Sequence, residues 1–186
     1  NFFGLKDNYE IKDLENYPSN EKNLTGCLSF INIEFSNVDI SSSNSNCEDG
    51  INLINVTGNI DKIKIENSMS DGLDIDFSEI KINDVKISKS NNDCLDVSLG
   101  KYLFNKLDLS ECGDKGLSVG EGSTVNINDL KINSSETGVA TKDSSYAQIE
   151  NSTINNVVNC YSAYNKKQEF SGAKIYVIDS KCKNFT

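Results

Sequence analysis

The chain has no histidine and no tryptophan, and its cations are all lysine; methionine and proline occur once each among 186 residues. Each absence excludes something. Without His there is no imidazole base and no Cys/His zinc set, and no Cys-x-x-Cys pair offers an alternative. Without Arg there is no bidentate guanidinium clamp for carboxylates or phosphates. Without Trp, aromatic platforms are few. The net charge of −10 makes nucleic acid and anionic membrane poor partners, whereas cations and cationic surfaces are suitable ones. No apolar run approaches the ~18 residues that a membrane span needs, so no membrane insertion is expected. The start, NFFGLKDNYE, lacks signal-peptide grammar.

What is present is a repeat. Gly or Cys recurs at Cys27, Gly50, Gly72, Cys94, Gly116, Gly138 and Cys160, first at an interval of 23 and then of 22. Taking that residue as position 0, position +1 is Leu28, Ile51, Leu73, Leu95, Leu117, Val139 or Tyr161. Position +3 is Phe30, Leu53, Ile75, Val97, Val119, Thr141 or Ala163. This alternation marks a strand with one buried face. A second apolar group follows in each unit, for example Ile82-Val85-Ile87 and Phe104-Leu107-Leu109, with turn-forming clusters such as NSMSDG between groups. One unit cannot bury its own apolar face, but stacked units can. The expected fold is all-β: a right-handed parallel β-helix of about seven coils, with strands near +1 to +4 and +13 to +15. At the ~4.8 Å spacing of neighbouring strands it is a rod roughly 30–35 Å long.

A leucine-rich-repeat-like solenoid is the alternative. FNKLDLSEC, residues 104–112, meets its apolar pattern, but Ser68, Ser90 and Ser135 stand where that repeat prefers Asn or Cys. Residues 1–25 fall outside the rhythm and read as an irregular N-terminal coil or cap; residues 26–186 form the β-helix. KCKNFT at the other end has no capping character, so an adjoining domain or neighbouring protein is expected to cover it.

Successive cysteines are 20, 18 and 22 residues apart, close to one coil each. Residues one coil apart are stacked within disulfide reach. Of the 15 connectivities that six cysteines allow, geometry therefore prefers Cys27–Cys47, Cys94–Cys112 and Cys160–Cys182. Disulfides imply an oxidising compartment, hence secretion to the extracellular space or cell surface.

The aspartates form columns. Asp49, Asp71 and Asp93 precede position 0; Asn52, Asp74 and Asp96 share the outward position +2, with Asp76 at +4. Stacked carboxylates repel, by roughly 1 kcal/mol in water and several at low effective dielectric. They require solvation, shared protons, lysine neighbours or a cation. No cofactor is required, but calcium between Asp74, Asp76 and Asp96 is one way to meet that requirement.

With these residues in place, the period and strand–turn grammar of residues 26–182 resemble the pectate-lyase-like right-handed β-helix superfamily. Three segments are similar to polygalacturonase-type motifs: Met69-Ser70-Asp71-Gly72, Asn92-Asp93-Cys94 and Lys115-Gly116. The resemblance implies saccharide chemistry, with Asp71 and Asp93 as catalytic carboxylates if the chain is an enzyme. Asn92, however, stands at the implied general acid, and Lys115 where that family carries His. Inverting hydrolysis needs both a protonated carboxyl and a base. A lyase would need a lysine base from among Lys115, Lys142, Lys166 and Lys167. The chain is also similar, more loosely, to β-helical modules of extracellular bacterial proteins.

The expected function is accordingly a non-catalytic extracellular module that binds polysaccharide or another surface protein. Its binding residues are expected to be Asp74, Asp76, Asp96, Tyr164, Lys166 and Lys167. The alternative is a polyuronide hydrolase or lyase acting through the acidic columns. Sequons at Asn23, Asn55, Asn133, Asn151 and Asn184 are glycan acceptors only in a eukaryotic secretory pathway.

Overall fold

A computed structural model describes residues 2–3 and 24–183. The expected N-terminal cap, and the sequons at Asn23 and Asn184, lie outside the described residues apart from the two-residue strand β1 (Phe2–Phe3), which pairs with Ser42 and Ser43.

Every coil has a short strand and a long one. The short strands are β2 (Gly26–Ile31), β4 (Asp49–Ile54), β6 (Asp71–Asp76), β8 (Leu95–Ser98) and β10 (Lys115–Gly120). The long ones are β3 (Glu34–Ser45), β5 (Thr57–Ser68), β7 (Glu79–Ser90), β9 (Lys101–Cys112) and β13 (Lys174–Lys183). In β11 (Thr124–Lys142) and β12 (Tyr146–Tyr164) the two run together without a break. All pairing is parallel, short strand on short and long on long, as Leu73 with Leu95 and Ile82 with Phe104 illustrate. The fold is a parallel β-solenoid. Seven rungs are joined by six steps, so the path winds about six turns, slightly fewer than the seven expected. The convex limb of a leucine-rich repeat is replaced by a continuous strand.

That strand is far longer than +13 to +15. Relative to Gly72, β7 runs from +7 to +18. The sequence hid this because the inward alternation changes phase midway. Ile80, Ile82, Val85 and Ile87 all point into the core, with two outward residues between Ile82 and Val85. At that bend the register passes from Ile60–Ile82 directly to Lys62–Asp84. Side-chain amides fill the gap: Asn83 Nδ2 donates to Asp61 Oδ1 (3.0 Å), Asn105 to Asn83 (2.8 Å) and Asn128 to Asn105 (3.0 Å). Charge also alternates up a neighbouring column, where Lys62 lies 3.8 Å from Asp84. A one-residue slip would lose both patterns and turn the apolar set outward.

The core is a stack of Ile, Leu, Val and Phe from all limbs, with Ile51, Leu73, Leu95 and Leu117 completely buried in one column. The Gly/Cys column has a steric cause. A Cβ on Gly72 would meet the Cys94 carbonyl oxygen at 2.6 Å, and one on Gly138 the Cys160 carbonyl at 2.7 Å. Rungs approach too closely there for an ordinary side chain.

All three expected disulfides are present, with Cα separations of 5.3, 5.3 and 6.3 Å, and no described cysteine is free. Each closes one coil on itself, contributing about 3 kcal/mol on the chain-entropy model. Such bridges persist in oxidising compartments. Among the described residues no helix is long and apolar enough to cross a membrane.

Candidate functional site: the outward face of the short strands

Alternation along the short strands sends +1 and +3 into the core and +2 and +4 outward. Parallel register then lines these residues up across rungs. Position +2 reads Ser29, Asn52, Asp74, Asp96, Ser118, Ala140 and Ser162. At +4, Asp76 pairs with Ser98, Ser98 with Gly120, and Lys142 with Tyr164. The expected binding carboxylates and Tyr164 therefore share one face. Lys167 joins it through Glu121, 2.6 Å away, whereas Lys166 is held only by its backbone amide, which donates to Asp143 Oδ1. The face is acidic over β4, β6 and β8 and lysine-bearing over β10 to β12.

Two members of the Asp49–Asp71–Asp93 column staple one rung to the next. Asp71 Oδ1 accepts the Asp93 amide (2.8 Å) and Asn92 Nδ2 (2.7 Å). Asp93 Oδ1 accepts the Lys115 amide (2.9 Å) and lies 3.4 Å from its ammonium. Lys115 also pairs with Asp114. The two carboxylates implied as catalytic by resemblance thus each bind a backbone amide of the following coil. Both still lie high, at about 6, because burial penalises the charged form and carboxylate neighbours add to it. Asp49 is higher, at about 7, for the same leading reason.

Crowding is greatest at Asp74. Burial, followed by Asp49, Asp76 and Asp96, pushes its carboxyl far above the usual carboxylate range. The neighbouring Asp76 carboxyl is itself raised, by burial. Asn52 Nδ2 donates to the other side of Asp74 at 2.8 Å. Asp96 is raised to about 6 by burial, partly offset by Lys142, whose Nζ is 3.9 Å away. Asn52 Oδ1 is a buried acceptor without a hydrogen-bond partner, whereas the Ser118 hydroxyl helps hold the Asp96 carboxyl down. No group of three or more His, Cys, Asp or Glu among the described residues converges as metal ligands do.

Two shallow hollows, of about 250 and 140 Å³, open on the long-strand side, around Tyr102 and around Ser152. Neither is lined by a carboxylate of the short-strand face.

Sequence reasoning missed the corner beside this face. The residue after +4 takes positive φ on successive rungs: Asn32 (56°), Asn55 (51°), Phe77 (52°), Leu99 (51°), Glu121 (49°) and Asp143 (56°). Asn and Asp tolerate this conformation, but bulky apolar residues seldom adopt it. Phe77 and Leu99 are nevertheless there, 57% and 44% exposed. The signal that could have found them is the repeat, which sets both in a column begun by Asn32 and Asn55.

No family model, curated protein or solved structure matches the chain.

Proposed function

We propose that this chain is a secreted or cell-surface module that recognises polysaccharide on the outward face of its short strands and does not cleave it. One observation carries the reading: the carboxylates that the resemblance would make catalytic in an enzyme are occupied as rung-to-rung staples, since Asp71 and Asp93 each accept a backbone amide of the next coil. The partly exposed residues of the face, Asp74, Asp76, Asp96 and Tyr164, together with Lys167, offer polar contacts along it. Their spacing of ~4.8 Å is close to the length of a hexose unit. The three disulfides support an extracellular location. The resemblance to pectate-lyase-like β-helices, carried by Asp71-Gly72, Asn92-Asp93-Cys94 and Lys115-Gly116, supports a saccharide as the ligand class. It remains an analogy, because fold does not fix function.

Co-sedimentation with a panel of insoluble polysaccharides tests the reading, alongside reducing-end and unsaturated-product assays on the same panel. Retention without product is expected. A hydrolase is the second reading, favoured by the raised carboxyls of Asp71 and Asp93. Product release that disappears in Asp71→Asn or Asp93→Asn would establish it in place of the first.

A further inference from the structure

The corner column poses a physical question. Asn occupies it at Asn32 and Asn55 and Asp at Asp143, residues suited to positive φ, yet the two rungs beside the acidic strip carry Phe77 and Leu99. Both are unfavourable twice over, in backbone conformation and in exposure of apolar surface to water. They are adjacent rungs of one stack: the Phe77 amide donates to the Ser98 carbonyl at 3.1 Å, and Asp76 pairs with Ser98. An apolar shelf two rungs long thus borders the strip that contains Asp74, Asp76 and Asp96.

The strip itself is poor in positive charge. Among the described residues, neither Asp74 nor Asp76 has a lysine within ion-pair distance, and Asp96 has only Lys142 at 3.9 Å. A buried acceptor without a donor, Asn52 Oδ1, lies beside it, on a residue 1% exposed. A complementary ligand therefore has a flat apolar face for the shelf and a cationic, donor-rich edge for the strip. It also extends across rungs. Neutral sugars supply the apolar face and the donors but no charge, and uronates bring the wrong charge.

We propose that Phe77, Leu99 and Asp76 form a subsite for a polysaccharide of amino sugars with free amines. The sugar ring stacks on Phe77 and Leu99, and its ammonium faces the carboxylates of Asp76 and Asp96. This rests on the reading of the short-strand face as a saccharide-binding surface and narrows it to one charge class.

The test is calorimetric titration, at neutral pH, with three oligomers of equal length: glucosamine, N-acetylglucosamine and galacturonate. Wild type is compared with Phe77→Asn and Asp76→Asn. The glucosamine oligomer should bind best, and Phe77→Asn should weaken it about tenfold. The same variant should melt no lower than wild type, since Asn suits the corner conformation. Asp76→Asn should remove the preference for free over acetylated amine. A fall in melting temperature for Phe77→Asn would make that residue structural and overturn the proposal. So would binding of the acetylated or uronate oligomer as tightly as the free amine. In that last case saccharide recognition itself survives; if none of the three oligomers binds and no polysaccharide retains the protein, both readings fall.

Discussion

Asn92 Nδ2 donates to Asp71 Oδ1 at 2.7 Å, and the same oxygen accepts the Asp93 amide at 2.8 Å. Asn92 occupies the position that resemblance assigns to a general acid, yet here it holds a carboxylate that fastens one coil to the next. A general acid must carry a proton to a leaving group, and a carboxamide has none to give. The stapling role predicts that Asp71→Ala leaves the Asp93 amide unsatisfied and lowers unfolding free energy by about 1–3 kcal/mol in urea titrations. Asp71→Asn keeps an acceptor and removes a buried charge, so it should cost less than Asp71→Ala.

A second prediction concerns pH. Asp71, Asp93 and Asp96 lie at about 6 and Asp49 at about 7 in the folded chain, against an unfolded value of 3.8. Their folded values are raised, so between about 4 and 7 the folded state holds more protons than the unfolded state. Stability from these groups is full below pH 4 and is lost as pH rises through 6 to 7. Glu121 and Asp143, held low despite burial by hydrogen bonds and lysine neighbours, oppose the trend only toward acid. The melting temperature should therefore increase as pH falls from 7 to about 5. A tenfold change in one group's proton affinity corresponds to about 1.4 kcal/mol, before neighbouring sites are allowed for. A melting temperature that declines as pH falls over that range would contradict the carboxylate arrangement.

Legibility followed the strength of each physical constraint. The Gly/Cys column could be read because close rung contact at Gly50, Gly72, Gly116 and Gly138 leaves no room for a Cβ, and the remaining rungs of the column carry the small Cys. The disulfides could be read because their spacing equals a coil. The bend at Asn83 was hidden, since outward Asn and Asp between Ile82 and Val85 look like the end of a strand. The corner at Phe77 and Leu99 was hidden for the opposite reason: nothing in either side chain announces a left-handed turn. Asp74 falls at the outward position +2 as the repeat implies, but the crowding that raises its carboxyl depends on distances within the fold.

The Gly column yields a third prediction. Alanine at Gly72 would bring its Cβ within 2.6 Å of the Cys94 carbonyl oxygen and 2.7 Å of Ile87 Cγ2. Backbone cannot yield as a flexible side chain can, so Gly72→Ala should destabilise by about 1–3 kcal/mol, the usual cost of overpacking. Gly122→Ala is an informative control, because no atom lies within 4 Å of its added Cβ and only its φ of 72° opposes the substitution. Equal losses at both positions, measured by chemical denaturation, would show that steric closeness is not what fixes the column.

The last prediction separates the lysine end of the face from its acidic end. Lys142 is 7% exposed, pairs in register with Tyr164, and sets its ammonium 3.9 Å from Asp96 Oδ2. It is the second-largest influence on Asp96, holding that carboxyl down against burial. Lys142→Met keeps much of the aliphatic stem and removes the charge. Asp96 should then titrate higher, and the variant should lose stability at pH 7, where an unpaired buried carboxylate is most costly. At pH 4, with Asp96 protonated in both proteins, the difference should shrink. Carboxyl-carbon NMR titration of Asp96 reads the first effect, and thermal melts at the two pH values read the second. An unchanged Asp96 titration in Lys142→Met would mean that the two charges are insulated from one another, and that the face is not electrostatically continuous from β8 to β11.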